Sequence, residues 1–393
     1  MKRIMTLLLC LVLSLSLNSV VFAEKPDTQP GTPDNGNLNT SGFLSYDELV
    51  KALKQIEKNS QGRIEVEAAG TSNRGRTIHK ATVGTGEKVV LITSQIHGNE
   101  PTGTQALVNL LQFLGSSNSP EAQKVRDEIT LVAVPQMNPD AAEKERRGND
   151  MTWDEVVQDF PQLAEVQPAW NYYTRTLQGH DYTQNPGFDV NRDYHPNLDY
   201  VPRAEDFPGS SSEPGWYITP ESRIIRDIYK SLQNEYGQVD VYVDLHHQAP
   251  YYYVEGSDDL VTMSLSGKFV QDPSSPGSDY AEYADRYNFD FSRQLNVAAY
   301  QALRQGNSIF KNITLYPQDI DLPGTALGSF ALNGSGAVLF EVRGQTQSMG
   351  QKMKGQLIKT VERGLHGILQ SVASGEVYEI DPEAYDQIPQ TDR

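Results

Sequence analysis

The run Val89-Val90-Leu91-Ile92 narrows the choice of fold at once, because four consecutive apolar residues show no alternation between a dry and a wet face. A strand of this kind is buried on both sides, which requires helices above and below the sheet that holds it. Ile129–Val134, Val239–Leu245 and Ala337–Val342 read as further buried strands, and Arg63–Ala68, Thr77–Val83 and Ile313–Tyr316 as shorter extended segments. Helical patterns lie between them. Ser45–Lys58 sets Leu49, Leu53 and Ile56 on one face, and Thr102–Leu114 starts after Pro101 and stops before Gly115. Another opens at Thr219-Pro220-Glu221 and runs through Tyr236, with Thr219 as its cap and Glu221 favourable at the positive end. Tyr280–Gln305 and Lys352–Ser371 carry further helical periodicity. Strands alternating with helices predict an α/β fold with helices on both faces of one sheet. The 393 residues allow one large domain or two medium ones. No internal repeat and no second linker divides the body, so a single domain is expected.

Composition excludes several classes. Charged residues are 21% and hydrophobic ones 38%, and the 31 Gly and 22 Pro are dispersed, which rules out coiled-coil, collagen-like and wholly disordered chains. A net charge of −18 repels phosphate backbones and anionic membranes, so no nucleic-acid partner is expected. At the N-terminus, Lys2 and Arg3 precede an apolar run from Leu7 to Leu17 that ends in Val21-Phe22-Ala23. This has the form of a cleaved secretory signal over 1–23. It contains the one cysteine, Cys10, so the mature protein is expected to be thiol-free, exported (extracellular, periplasmic or cell-surface, according to the host envelope) and without stable membrane association. Residues 24–42 are rich in Pro, Gly, Asn and Thr and read as a flexible linker, followed by a domain over 43–376 and a C-terminal tail over 377–393.

Chemistry concentrates after the buried strands. His97-Gly98-Asn99-Glu100 stands between the Val89–Ile92 strand and the next helix, where a His and a Glu three apart can face one metal ion. A catalytic zinc takes three protein ligands from His and Asp/Glu, so a third must lie downstream. His246 and His247 end a second buried strand, and strand alternation lets only one of the pair join the site. Either motif alone arises often by chance; together, each after a buried strand, they point to a metal centre. Glu341 is a carboxylate inside the apolar stretch Val338–Val342, a costly placement unless it is paired or functional.

Taken in order, Ser72-Asn73-Arg74-Gly75-Arg76-Thr77-Ile78, His97-Gly98-Asn99-Glu100, Asn138-Pro139-Asp140, Arg147-Gly148-Asn149, Asp189-Val190-Asn191-Arg192, Asp244-Leu245-His246 and Phe340-Glu341-Val342-Arg343 resemble the zinc metallocarboxypeptidases of the carboxypeptidase A type. The resemblance spans roughly Phe43–Ser371. It implies a twisted mixed sheet of about eight strands, one Zn2+ held by His97, Glu100 and His246, and Asp189 as the carboxylate behind His97. It further implies Glu341 as general base, Arg147 beside the scissile carbonyl, and Asn191 with Arg192 as the clamp for a free C-terminal carboxylate. Tyr316, 25 residues before Glu341, resembles a tyrosine that closes over the substrate. Arg146 competes with Arg147 for its place, and the Arg-Gly-Asn pattern favours Arg147.

Three departures bear on the substrate. Asn99 replaces an arginine of the digestive members. The 43 residues between Arg147 and Asn191 are rich in aromatics, a candidate wall for the cleft. Asp319 and Asp321, after Tyr316, suggest a basic terminal side chain. The expected activity is secreted zinc-dependent release of C-terminal residues from peptides. A zinc amidohydrolase acting on cell-wall peptides or other N-acyl amino acids is the alternative, and a non-catalytic binding protein a distant third. The oligomeric state is not fixed by the sequence.

Overall fold

The computed structural model describes residues 40–305, 310–345 and 350–393. The signal expected over 1–23, and the part of the expected linker before Thr40, lie outside the described residues.

Eight strands form one mixed sheet: β1 (Ile64–Thr71), β2 (Thr77–Val83), β3 (Lys88–Ser94), β4 (Ile129–Val134), β5 (Val241–Gln248), β6 (Met263–Ser266), β7 (Ile313–Leu315) and β8 (Gly336–Arg343), in the spatial order β1-β2-β4-β3-β5-β8-β6-β7. The four central strands β4, β3, β5 and β8 are mutually parallel, and β2 and β6 run against their inner neighbours. Helices cover both faces, as the Val89–Ile92 run requires. Val90 and Ile92 enter a core with the helices α1 (Tyr46–Asn59) and α2 (Thr102–Ser116), while Val89 and Leu91 enter the opposite core.

The remaining helices follow in chain order: α3 (Pro120–Glu128), α4 (Pro139–Glu143), α5 (Trp153–Asp159), α6 (Pro220–Tyr236), α7 (Phe289–Arg304), α8 (Ala326–Leu332) and α9 (Gln351–Ser374). α9 lies on the face of α1, α2 and α7, and α6 and α8 lie on the other. Among the described residues no helix is long and apolar enough to cross a membrane.

The structure corrects the sequence reading in several places. The periodicity over Tyr280–Gln305 is not one helix: a 3-10 turn at Ala281–Tyr283 is followed by a break, and α7 starts after Asn288. Asn288 leaves helical dihedrals and its side chain accepts from Phe291 N at 3.0 Å, so a cap residue ends the pattern that spacing alone extended. β6 went unpredicted because Met-Ser-Leu-Ser is short and half polar, yet Ser264 and Ser266 are fully buried. Ser264 Oγ offsets its burial by donating to Gln248 Oε1 at 2.9 Å. α3, α4, α5 and α8 were also absent from the sequence reading.

Residues set apart as a tail are packed against the sheet. After α9, 3-10 turns at Glu376–Glu379 and Pro382–Gln387 bury Val377, Tyr385 and Ile388, and Arg293 ties the second turn down through Glu383 and Asp386. Thr391–Asp392 then pairs antiparallel with Tyr253–Val254.

Glu221 lies in the first turn of α6 as expected, and it is fully buried there, with Oε2 accepting from Asn149 Nδ2 at 3.0 Å. Burial lifts its carboxyl from 4.5 to about 7, against the Asn149 hydrogen bond. Because the folded-state value is raised, stability is fully retained below the unfolded value and declines as pH rises toward and through about 7. Once both states are ionised the loss amounts to about 3 kcal/mol. Glu221→Gln keeps a neutral group at every pH. The variant should lose less stability than wild type between pH 5 and pH 8 in chemical denaturation; parallel losses would show that Glu221 does not titrate in this range.

Candidate metal centre and cleft

The site forms at the C-terminal ends of the neighbouring parallel strands β3 and β5, the edge where open α/β sheets collect ligands. β3 ends in a sharp turn at Gln95, whose φ of 58° is unusual for a residue with a side chain. Its side chain holds that turn: Nε2 donates to Gly98 O at 2.7 Å, and Oε1 accepts from Thr104 Oγ1 and Gln136 Nε2. Gly98 is required by close approach, since a Cβ there would lie 2.0 Å from the carbonyl carbon of Ala141. Asn138, from the Asn-Pro-Asp motif, closes the turn by donating to Ile96 O at 2.8 Å. Its neighbour Asp140 accepts from Arg74 N and Arg76 Nη1, so both flanking motifs serve to hold this corner.

β5 separates the two histidines as its alternation demands. His247 turns to the other face, where Nε2 accepts from Thr102 N at 3.0 Å and burial pushes the ring down to about 4. His246 turns toward Glu100. The residues brought together are thus His97, Glu100 and His246, all buried, with one donor atom from each lying within 4.8 Å of the others.

Their orientation is informative. His97 Nδ1 lies 2.9 Å from Glu100 Oε1, and His246 Nδ1 lies 3.0 Å from Glu100 Oε2. The opposite nitrogens face carboxylates too: His97 Nε2 is 3.3 Å from Asp189 Oδ1, and His246 Nε2 is 3.0 Å from Asp244 Oδ2. A neutral imidazole has one N–H. If it is directed at the rear carboxylate, as in the carboxylate–histidine–metal arrangement, both Nδ1 lone pairs and the Glu100 oxygens converge on one point, which only a cation satisfies. Burial raises the Glu100 carboxyl, but His97 and His246 outweigh it and hold the group well below the ordinary range. For His246, burial disfavours the charged ring, and Asp244 and Glu100 reverse that. The donor set fits zinc in kind and number.

Arg147 enters from the side. Its Nε donates to Asp189 Oδ2 at 2.9 Å and its Nη1 lies 3.3 Å from His97 Nδ1. Tyr173 OH also donates to Asp189 Oδ2, at 3.0 Å. Burial alone would raise Asp189; Arg147 and His97 keep it well below the usual carboxylate range. Arg146 is turned away, buried over Tyr182 and donating to the carbonyls of Gly148, Asn149 and Asn185. Of the two arginines, Arg147 is the one placed beside His97 and Asp189.

A cavity of about 150 Å³ opens in front of these groups, lined by Asn99, Glu100, Arg147, His247, Gln248, Tyr252, Tyr316, Glu341 and Arg393 among others. Larger hollows, of about 550 Å³ beside α7 and α9 and about 640 Å³ near His195 and Tyr283, contain none of the metal-facing groups. Parallel register between β5 and β8 places Glu341 opposite His246. Burial raises the Glu341 carboxyl; His246 opposes and Glu100 adds to the rise. Its Oε2 has no hydrogen-bond partner among the described residues.

Asn191 is buried against His246, its Nδ2 3.4 Å from His246 Nε2 and its Oδ1 accepting from Ala326 N. Arg192 is half-buried and donates to Asn191 O at 2.7 Å. Neither is among the cavity-lining residues. Asp319 and Asp321 do not line it either: Asp319 is exposed and Asp321 accepts from Gln271 N, which removes their support for a basic terminal side chain. The aromatic stretch mostly builds core; Trp153, Tyr172 and Phe188 pack together with Phe207 and Trp216, and Gln178 is the part of the stretch that reaches the cavity.

Sequence reasoning missed Asp244 as the partner of His246, although Asp and His two apart on a strand share a face. Tyr252 and Arg393 carried no local signal.

The fold and this donor set are those of a metallopeptidase, and comparison with known proteins agrees. The family described as zinc carboxypeptidase matches residues 49–319, and the chain belongs to that family, which is zinc-dependent. Carboxypeptidase SOL1 of Arabidopsis thaliana is 25% identical over 130 residues, a match that spans 31% of this chain and 26% of that protein. Among solved structures, carboxypeptidase A from Helicoverpa armigera superposes with a TM-score of 0.53 at 18% identity, covering 86% of this chain and 74% of that one. Bovine thrombin-activatable fibrinolysis inhibitor, in complex with tick carboxypeptidase inhibitor, gives 0.50 at 14% identity, over 85% and 98%. At such identities the likeness is one of fold.

Two substitutions probe the centre. Asp244→Asn should weaken zinc affinity about 10- to 100-fold, read by competition with a chelator, while leaving the fold intact. Gly98→Ala should displace the His97–Glu100 turn and lower bound zinc per chain in metal analysis; unchanged chelator competition in the first variant, or full zinc content in the second, would remove the role given to Asp244 or to Gly98.

Proposed function

We propose that the protein is an exported exopeptidase that hydrolyses the last peptide bond of substrates with a free C-terminal carboxylate. The observation that carries this reading is Glu341: a half-buried residue whose Oε2 is itself buried without a hydrogen-bond partner among the described residues, set opposite His246 and lining the same cavity as Glu100 and Arg147. Zinc, when bound by His97, Glu100 and His246, supplies a Lewis acid that polarises a carbonyl and makes water nucleophilic near neutral pH. Glu341 accepts the proton of the attacking water and returns it to the departing amine, so no acyl-enzyme is needed. Arg147, held by Asp189, offers its outer guanidinium nitrogens to the carbonyl oxygen as negative charge develops there. The family resemblance assigns the carboxylate clamp to Asn191 and Arg192, a task for which a planar guanidinium is suited, although neither lines the cavity. Tyr316 covers the bound residue. Export rests on the basic-then-apolar start of the chain, Lys2-Arg3 followed by Leu7–Leu17.

Glu341→Gln removes the base while leaving the metal ligands in place. Release of the terminal amino acid from a peptide panel should fall about 100- to 10,000-fold with zinc content unchanged. Turnover at the wild-type rate would overturn the mechanism. Cell-wall peptides belong in the same panel: release from them alone, and not from linear peptides, would replace peptide tails by wall fragments as the substrate.

A further inference from the structure

The chain's last residues put a cation into the cleft that the functional reading does not use. Arg393 follows the strand pair Thr391–Asp392 with Tyr253–Val254, and the segment before it is fixed at several points. Leu315 N donates to Pro389 O at 2.7 Å, Glu255 N to Gln390 O at 3.0 Å, and Thr391 Oγ1 to Leu315 O at 2.7 Å. These bonds tie the segment to β7 just before Tyr316 and to the turn just after Tyr252. The guanidinium of Arg393 then lies between the two tyrosines, its carbon 3.9 Å from the Tyr316 ring centre and 4.5 Å from that of Tyr252.

We propose that Arg393 is a carboxylate-binding residue of the cleft, receiving a carboxylate carried by the terminal residue of the substrate; this rests on the carboxypeptidase reading above. Rings over the carbon of a guanidinium occupy its faces and leave its N–H groups directed outward in the plane, the arrangement that binds a carboxylate with two parallel bonds. Those donors are largely unused. Among the described residues Nη2 makes one long hydrogen bond, 3.4 Å to Gln248 Oε1, and Arg393 has no ion pair with a carboxylate. The other arginines near these elements are engaged: Arg147 by Asp189, Arg293 by Asp290, Glu383 and Asp386, and Arg343 by Pro250 O. A cation with idle donors, placed by a bonded segment into the cavity that holds Glu341, is suited to an incoming anion. That anion has two sources: the α-carboxylate assigned above to Asn191 and Arg192, or a side-chain carboxylate on an acidic terminal residue.

Peptides identical except for a terminal Glu or Gln separate these sources, assayed with zinc-loaded wild type, Arg393→Gln and Arg393→Lys. A rise in KM of about 10- to 100-fold for the Glu peptide alone in Arg393→Gln, partly restored in Arg393→Lys, assigns the guanidinium to an acidic side chain. An equal rise for both peptides with kcat kept assigns it to the α-carboxylate. Unchanged KM values, or a fall in kcat alone, would overturn the inference, because Arg393 would then act on Tyr316 or Glu341 and not on a substrate carboxylate. Calorimetric binding of glutarate to wild type and Arg393→Gln gives a readout independent of turnover. Weaker binding by the variant supports the proposal even if wild type releases no amino acid, an outcome that would sink the exopeptidase reading instead; equal affinities would overturn the proposal.

Discussion

Behind each metal-facing histidine stands a buried carboxylate, Asp189 for His97 and Asp244 for His246, and with Glu100 in front three acidic groups share one nearly dry volume. Such a cluster is unstable by itself, because like charges in a medium of low polarisability repel strongly and each has lost its water. Arg147 offsets one of the three charges through Asp189. A divalent ion at the convergence of His97, Glu100 and His246 offsets the other two. The corner built by Gln95, Gly98 and Asn138 and the parallel pairing of β3 with β5 can be understood as the framework that keeps these charges at fixed separation.

Much of this was legible in the sequence, for a definable reason. The unbroken apolar runs could only be central strands, and residues at the ends of adjacent parallel strands meet at one edge, so His97, Glu100 and His246 followed from strand positions and the family pattern. Glu341 was legible because a carboxylate inside such a run contradicts its surroundings. What stayed hidden depended on contacts with no trace in local spacing. The break before α7 turned on the side chain of Asn288, and β6 on the buried hydroxyl of Ser264, which found partners on β5 and β7. The aspartates after Tyr316 were misleading because sequence proximity to a cleft residue does not fix the direction of a loop. Arg393 lies 52 residues beyond Glu341, and only the folded chain brings them to one cavity.

The aromatic stretch between Arg147 and Asn191 shapes the centre from behind more than from the front. Tyr173 reaches Asp189 through its hydroxyl, Tyr182 OH accepts from Gly148 N and its ring carries Arg146, and Trp153, Tyr172 and Phe188 fill the space below. A loop that presents Arg147 on one side and Asp189 on the other has to be stiff, since the two must meet at 2.9 Å. Large rings with few rotatable bonds give that stiffness at modest entropic cost.

The strand β7 has only three residues and lies at the rim of the sheet. A rim strand ordinarily exposes a row of backbone donors and acceptors on which another chain can add, the first step toward aggregation. Here Leu315 bonds to Pro389 and bridges Gln390, so the segment 389–390 occupies positions that a foreign strand would take. On the exopeptidase reading proposed above, this closure keeps the margin beside Tyr316 from competing with the cleft for the backbone of an extended peptide end.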